Sequence, residues 1–237
     1  MIHPDLARRV DLPELMDTTR LAAEELDGTL RFLETVNRRL GGYSLTFGYL
    51  ERWLSARPAS GPVTILDAGT GGGDLPVALA QWGRRQGLEV RVVGLDADEE
   101  IARWARRRAQ SEPRVEIVHG ELAALERTGR RFDFVTASLL LHHIPEAALV
   151  PVLRTLDGLA ARGLVIGDLR RCAAGYVGVT LVTAALGNRV VRHDGPLSVR
   201  RAFLEGELEA LAARAGLPHL RARRHPFFRL ALAGEKS

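Results

Sequence analysis

Cysteine is nearly missing from the 237 residues: Cys172 stands alone. An intrachain disulfide is therefore excluded, and a cysteine-built metal site is not expected. Lysine is equally scarce. Lys236 is the only one, so arginine carries almost all the positive charge. The arginines are dispersed, with short clusters at Arg106–Arg108 and Arg221–Arg224, and acidic residues leave a formal charge of just +4. A nucleic-acid footprint is more often a concentrated basic patch, so nucleic acid is not an expected partner. Long apolar runs are also absent. No segment reaches the roughly 18 residues that mark a membrane span. The N-terminus, with Pro4, Asp5, Arg8 and Asp11, has no apolar core of the kind a signal peptide needs. These absences lead to the expectation of a reduced, soluble, cytoplasmic protein, taken as a monomer or homodimer.

What the chain does have falls into two parts. Residues 1–60 read as a helical N-terminal cap. Leu26, Leu30, Leu33, Val36 and Leu40 recur at helical spacing up to Gly41-Gly42, and a second helix runs through Phe47, Leu50 and Leu54 to Pro58. Ser60-Gly61-Pro62 marks the boundary. Residues 61–237 then alternate strand and helix. Strands are predicted at Val63 to Asp67, Val90 to Asp96, Arg114 to His119, Phe132 to Ala137 and Gly163 to Asp168. Helices are predicted at 74–86, 99–110 and near 146–160. Short apolar strands separated by amphipathic helices argue for a parallel sheet covered on both faces. Residues 170–199 break the alternation. Their glycines and the apolar stretch Val177 to Leu186 predict one inserted helix with flexible ends, on the substrate side. A helix over 200–215 and two antiparallel strands near 219–225 and 227–233 are expected to close the chain.

The sharpest signal is Asp67-Ala68-Gly69-Thr70-Gly71-Gly72-Gly73, set between a strand and a helix. Glycines let the backbone turn tightly and let a ligand approach, and N–H groups at the start of the helix face that ligand. Dinucleotide-binding folds use a similar loop. Here, however, a carboxylate precedes the first glycine, and it would repel a pyrophosphate. It suits a ligand bearing an ammonium group.

The loop resembles motif I of the class I S-adenosylmethionine-dependent methyltransferases, and three further elements appear in family order. Val92-Val93-Gly94-Leu95-Asp96 ends a strand with an acid 29 residues after Asp67. Val118-His119-Gly120-Glu121-Leu122 stands where the family often has Gly-Asp-Ala, its acid one methylene longer. Phe132-Asp133-Phe134-Val135 opens the fourth strand, which closes on Ser138. The resemblance implies a Rossmann-like α/β fold with a seven-stranded, mostly parallel sheet of order 3-2-1-4-5-7-6 and helices on both faces. It implies S-adenosyl-L-methionine as cofactor, held by Asp67, Ala68, Gly69, Thr70, Gly71, Gly73, Asp96, Ala97, Glu121, Leu122 and Ser138. Within it, Asp96 takes the ribose hydroxyls and Glu121 the adenine amino group.

Methyl transfer needs in-line positioning and, at a hydroxyl, sometimes a base. His142 and His143 follow the fourth strand and are the candidate catalytic bases, one of the two being expected to face the pocket. Tyr43, Asp168, Arg170 and His193 are candidate substrate-binding residues. Asn37, Arg38 and Arg39 offer either a partner for the cofactor's carboxylate or a solvated helix face. No metal site is expected, because His142, His143 and Asp168 lack a recognised ligand spacing. The stretches 13–17, 37–42 and 192–201 resemble a bacterial subgroup of small-molecule methyltransferases, some found beside type III polyketide synthases. That points to O-methylation of a phenolic or polyketide-like acceptor. Two alternatives stay open: an RNA or protein methyltransferase, and a non-methylating S-adenosylmethionine-binding module. The Asn-Pro-Pro-Tyr pattern used on nucleobase nitrogens is absent; Ser138-Leu139-Leu140-Leu141 stands there.

Overall fold

The computed structural model describes residues 5–236; residues 1–4 and 237, the outer ends of the two predicted segments, lie outside them. Ten α-helices and seven strands are present among the described residues. The strands are β1 (Val63–Ala68), β2 (Val90–Asp96), β3 (Val115–His119), β4 (Phe132–Ser138), β5 (Ala160–Leu169), β6 (Arg221–His225) and β7 (Arg229–Glu235). They form one sheet in the order β3-β2-β1-β4-β5-β7-β6. β1 to β5 pair in parallel, and β7 runs antiparallel between β5 and β6. The expected sheet is thus present in order and direction.

Alternation along the strands explains the layers. Ile65, Phe134 and Val165 enter one apolar cluster, while their neighbours Leu66, Val135 and Ile166 enter another on the opposite face. The first face is covered by α3 (Gly42–Ala56), α4 (Asp74–Arg85) and α5 (Glu99–Ala109). α6 (Leu122–Arg127), α7 (Glu146–Leu159) and α10 (Glu205–Ala215) cover the second. Leu45, Tyr49, Leu50 and Trp53 of α3 pack on the sheet in the same cluster as Ile65 and Phe134. This helix of the expected cap is a layer of the core.

The other helices, α1 (Leu15–Thr18), α2 (Ala23–Arg39), α8 (Ala173–Leu186) and α9 (Arg189–Arg201), pack on one another beyond the carboxyl ends of the parallel strands. Here the structure departs from expectation. Residues 170–199 hold two helices, not one with flexible ends, and α9 runs on to Arg201, so the next helix starts only at Glu205. The glycines serve close packing. A Cβ on Gly195 would come within 2.6 Å of Thr183, so only glycine lets α9 approach α8 at that point. β5 begins earlier than predicted, at Ala160, directly from the end of α7. α6 went unpredicted because its six residues are too few to show a period. The final turn spans 226–228, with Phe227 and Phe228 both left-handed at φ 58° and 56°, a conformation whose usual signal is glycine or asparagine.

Candidate active site

A cavity of about 590 Å³ lies between the strand ends and the four outer helices. That volume is ordinary for a small-molecule site. Its floor is the glycine loop. Gly69, Gly71 and Gly73 have φ of 65°, 53° and 69°, and a Cβ at Gly71 would stand in open space. The loop therefore leaves an uncovered backbone surface for a ligand. Asp96 ends β2 beside it, its Oδ2 accepting the Gly71 N–H at 2.8 Å and its Oδ1 the Asp98 N–H at 3.1 Å. Burial raises the Asp96 carboxyl above the usual range, against the pull of those two donors.

Asp67 is fully buried beneath the loop. Its Oδ2 accepts from the Thr70 hydroxyl at 2.8 Å and its Oδ1 from Thr136 at 3.0 Å. Loss of water pushes its pKa up to about 7; the two hydroxyls oppose the shift, and Asp74 and Asp96 add to it. A cation placed here would draw the proton off and restore the charge.

Of the residues expected to hold the cofactor, Asp67, Ala68, Gly69, Thr70, Gly71, Asp96, Ala97, Glu121, Leu122 and Ser138 all line this cavity. Gly73 does not. It faces α5, where a Cβ would press to 3.0 Å from Ala105, so its role is to let α4 and α5 approach. Gly72 and Asp74 reach the wall in its place.

Both histidines line the cavity, which corrects the expectation that only one would. The cause lies in the backbone. Leu139, after β4, is left-handed at φ 57° and turns the chain into a 3₁₀ turn, Leu141–His143. In that tighter turn the adjacent rings lie 4.2 Å apart, centroid to centroid. Buried His142 bonds through Nδ1 to Asp168 Oδ1 at 2.6 Å. Asp168 Oδ2 accepts the His142 backbone N–H, and Oδ1 also accepts that of Leu169. Burial alone would raise Asp168, but the charge of His142 and these donors outweigh it and hold the carboxyl below its ordinary range. Half-buried His143 bonds through Nδ1 to Asp17 Oδ1 at 2.9 Å.

The remaining partner was unforeseen. Glu14 is buried, with Oε1 3.8 Å from His142 Nε2 and Oε2 3.9 Å from His143 Nε2. Burial pushes its pKa up to about 7, against the charge of His143 and a hydrogen bond from Ser198. Its position comes from α9: Asp194 accepts the backbone N–H groups of Leu15 and Met16, tying α1 down. The motif stretch 13–17 contained both Glu14 and Asp17. No periodicity shows that a residue so distant in sequence returns to the fourth strand.

None of the four expected substrate residues reaches the cavity wall. The Tyr43 hydroxyl donates to Asp74 at 2.8 Å, and Asp168 stands behind His142. Exposed His193 pairs with Asp194. The Arg170 backbone N–H donates to the Phe228 carbonyl, holding the turn between β6 and β7. Arg38 and Arg39 are exposed, the solvated-face alternative. Buried Asn37 and Arg229 do line the wall, joined at 3.2 Å. The rest of the lining is mostly apolar: Leu30, Phe32, Leu33 and Val36 from α2, Val179 and Val182 from α8, Val190 and Val191 from α9.

Residues 65–163 match the methyltransferase domain family. The release factor glutamine methyltransferase of Mycobacterium tuberculosis is 33% identical over 101 residues, 41% of this chain and 32% of that protein. The chain thus matches about a third of that relative's length. Among solved structures, magnesium protoporphyrin IX methyltransferase from Synechocystis, with bound S-adenosylhomocysteine, aligns over 92% of this chain and 89% of its own at 18% identity and a TM-score of 0.54. The plantazolicin methyltransferase aligns over 90% and 99% at 11% identity and a TM-score of 0.60. Residues 65–163 thus carry a methyltransferase-domain match, and the chain shares the Rossmann-like fold of these solved methyltransferases.

Proposed function

We propose that the chain methylates an oxygen of a small apolar acceptor, of phenolic or polyketide-like type. The observation that carries this reading is the continuity of one cavity from the glycine loop and Asp96 to the two imidazoles, under an apolar roof. S-adenosylmethionine, when bound, supplies an electrophilic methyl on a sulfonium. Asp67 and the loop backbone would hold its amino-acid part, Asp96 its ribose hydroxyls and Glu121 its adenine. The lining of α2, α8 and α9 excludes water and binds the acceptor's apolar body. Asp168 and Asp17 fix the two rings through Nδ1, leaving both Nε2 atoms for the acceptor's end of the cavity. A hydroxyl delivered there can pass its proton to a free Nε2 as the methyl arrives. That matters for a phenol, whose pKa of about 10 leaves little phenolate at neutral pH. The small-molecule acceptor named for the Synechocystis structure supports the reading at the level of the fold.

The test is methyl transfer from labelled S-adenosylmethionine to a panel of alkyl-substituted phenols and hydroxylated aromatic polyketides, read by product mass. O-methylated product that depends on His142 is expected. Label appearing only in protein or RNA, or no cofactor binding at all, would sink the proposal.

A further inference from the structure

The two imidazoles and Glu14 share a geometry that a base alone does not need. Both rings are fixed through Nδ1 by a carboxylate, Asp168 for His142 and Asp17 for His143. Both Nε2 atoms then converge on the Glu14 carboxylate, at 3.8 and 3.9 Å. Ligand atoms of the three residues all lie within 4.8 Å of one another. We propose that Glu14, His142 and His143 bind a divalent transition-metal cation of the zinc class, with one coordination position open to the cavity.

Three observations carry this. The first is the donor set. Two imidazoles and one carboxylate with an open position are the ligands of catalytic zinc sites, and bonds of about 2.0–2.1 Å place tetrahedral ligand atoms roughly 3.3 Å apart. One Glu14 oxygen stands 3.8 Å from His142 and the other 3.9 Å from His143, and one ligand atom per residue fits within 4.8 Å, so side-chain rotation that contracts the set by up to about 1.5 Å completes the site. The second is the outer shell. A carboxylate on the far nitrogen fixes the tautomer that leaves Nε2 free for a metal, and here both rings have one. The third is charge. Glu14, Asp17 and Asp168 stand against the rings, and Asp194 lies behind Glu14, where its charge acts on that carboxyl. The guanidinium that approaches Glu14, that of Arg201 at 3.9 Å, donates to the carbonyls of His142 and Leu12. Arg9 also donates to the carbonyls of His142 and Ile144 and pairs with Glu146. Arg201 also pairs with Asp17 at 3.5 Å and buried Arg229 feels the charge of Asp168, so four carboxylates face three guanidinium groups and keep an excess of one negative charge for a cation to meet.

The inference rests on the reading that an acceptor hydroxyl reaches the imidazole pair. A hydroxyl at the open position has its pKa lowered by the cation, as bound water does. Its proton passes to solvent. The oxygen's lone pair then forms the O–C bond as the C–S bond breaks, the bonding pair returning to sulfur. The products are a methyl ether and S-adenosylhomocysteine.

The experiment uses the tag-free full chain, stripped with chelator and titrated with Zn²⁺ by calorimetry, without cofactor or acceptor. One equivalent is expected to bind, and Co²⁺ in its place is expected to show the visible bands of a four-coordinate ion. Glu14→Gln and His143→Ala should each weaken Zn²⁺ binding more than tenfold, Asp17→Asn about 10–100-fold. His219→Ala, whose ring pairs with Asp157 away from the cavity, should leave it unchanged. Circular dichroism of each variant checks folding. Absence of saturable binding to the wild type, or binding that folded Glu14→Gln and His143→Ala leave unchanged, overturns the metal site. If Zn²⁺ fails to bind while O-methylation still depends on His142, the cation inference falls and the proposed activity stands. If Zn²⁺ binds as expected and no phenol is methylated, the reverse holds.

Discussion

Single carboxylates flank the glycine loop at one end of the cavity. Asp96 accepts two backbone N–H groups and has lone pairs left for ribose hydroxyls. Asp96→Ala is expected to weaken S-adenosylhomocysteine binding by about 1–3 kcal/mol, the cost of leaving polar groups poorly paired. Calorimetry on the folded variant reads this directly, and unchanged affinity would remove Asp96 from the site. On the acceptor side, His142→Ala should lower single-turnover methyl transfer by ~10²–10⁴-fold, the usual scale for assisted proton removal, while cofactor affinity holds. His143→Ala should also lose turnover, because the 3₁₀ turn brings both rings to the cavity. A fall below tenfold in both variants would put less than ~1.4 kcal/mol of barrier on the pair and leave proximity as the main effect.

Among the elements, α1 has the least support of its own. Four residues cannot sustain a helix. Asp194 of α9 accepts the Leu15 and Met16 N–H groups, which lets α1 persist and places Glu14 against the histidines. Asp194→Ala should therefore release the segment before α2. Limited proteolysis is expected to cut near residues 10–20 faster in the variant, with Tm little changed because the sheet core is untouched. Equal cleavage rates would show that other contacts anchor α1. The same crossing of outer helices gives the glycines of 170–199 a packing role in place of the expected flexibility. Gly195 meets Thr183 at a distance no side chain tolerates, and that contact exists only once α8 and α9 have packed. The strands, by contrast, showed their period and their acidic ends in sequence.

On the scale of the whole molecule, burial of acids around the glycine loop links stability to pH. Asp67, Asp74 and Asp96 all have raised pKa values, chiefly from desolvation. For Asp67 the folded value is about 7 against an ordinary 3.8. The folded state thus binds its proton more tightly. The resulting stability is complete below about pH 4 and is lost as pH rises to about 7, of the order of 4 kcal/mol for this group. The Tm of cofactor-free protein should fall over that window, and Asp67→Asn should flatten the fall. A wild-type profile unchanged by the substitution would refute the assignment. Bound S-adenosylmethionine, carrying positive charge, should bind more tightly as pH rises through 7. At 100 times its Kd it should raise Tm by roughly 5–10 °C. No helix among the described residues is long and apolar enough to cross a membrane.

The sequence alone determined the sheet, its order by resemblance, and the glycine loop, for a physical reason. Short apolar strands, a glycine turn and an acid at each strand end are local patterns, and parallel α/β sheets put ligands at those ends. His142 and His143 were legible for the same reason, since they follow β4 directly. Glu14, Asp17 and the buried Arg229 were not. Each lies far along the chain from the histidines, and only the docking of α1 on α9 and the antiparallel insertion of β7 brings them to the cavity. Tyr43, Arg170 and His193 had suitable chemistry but turned to other partners or to solvent. Which polar group faces a cavity depends on which neighbour satisfies it first, and the tertiary structure decided that.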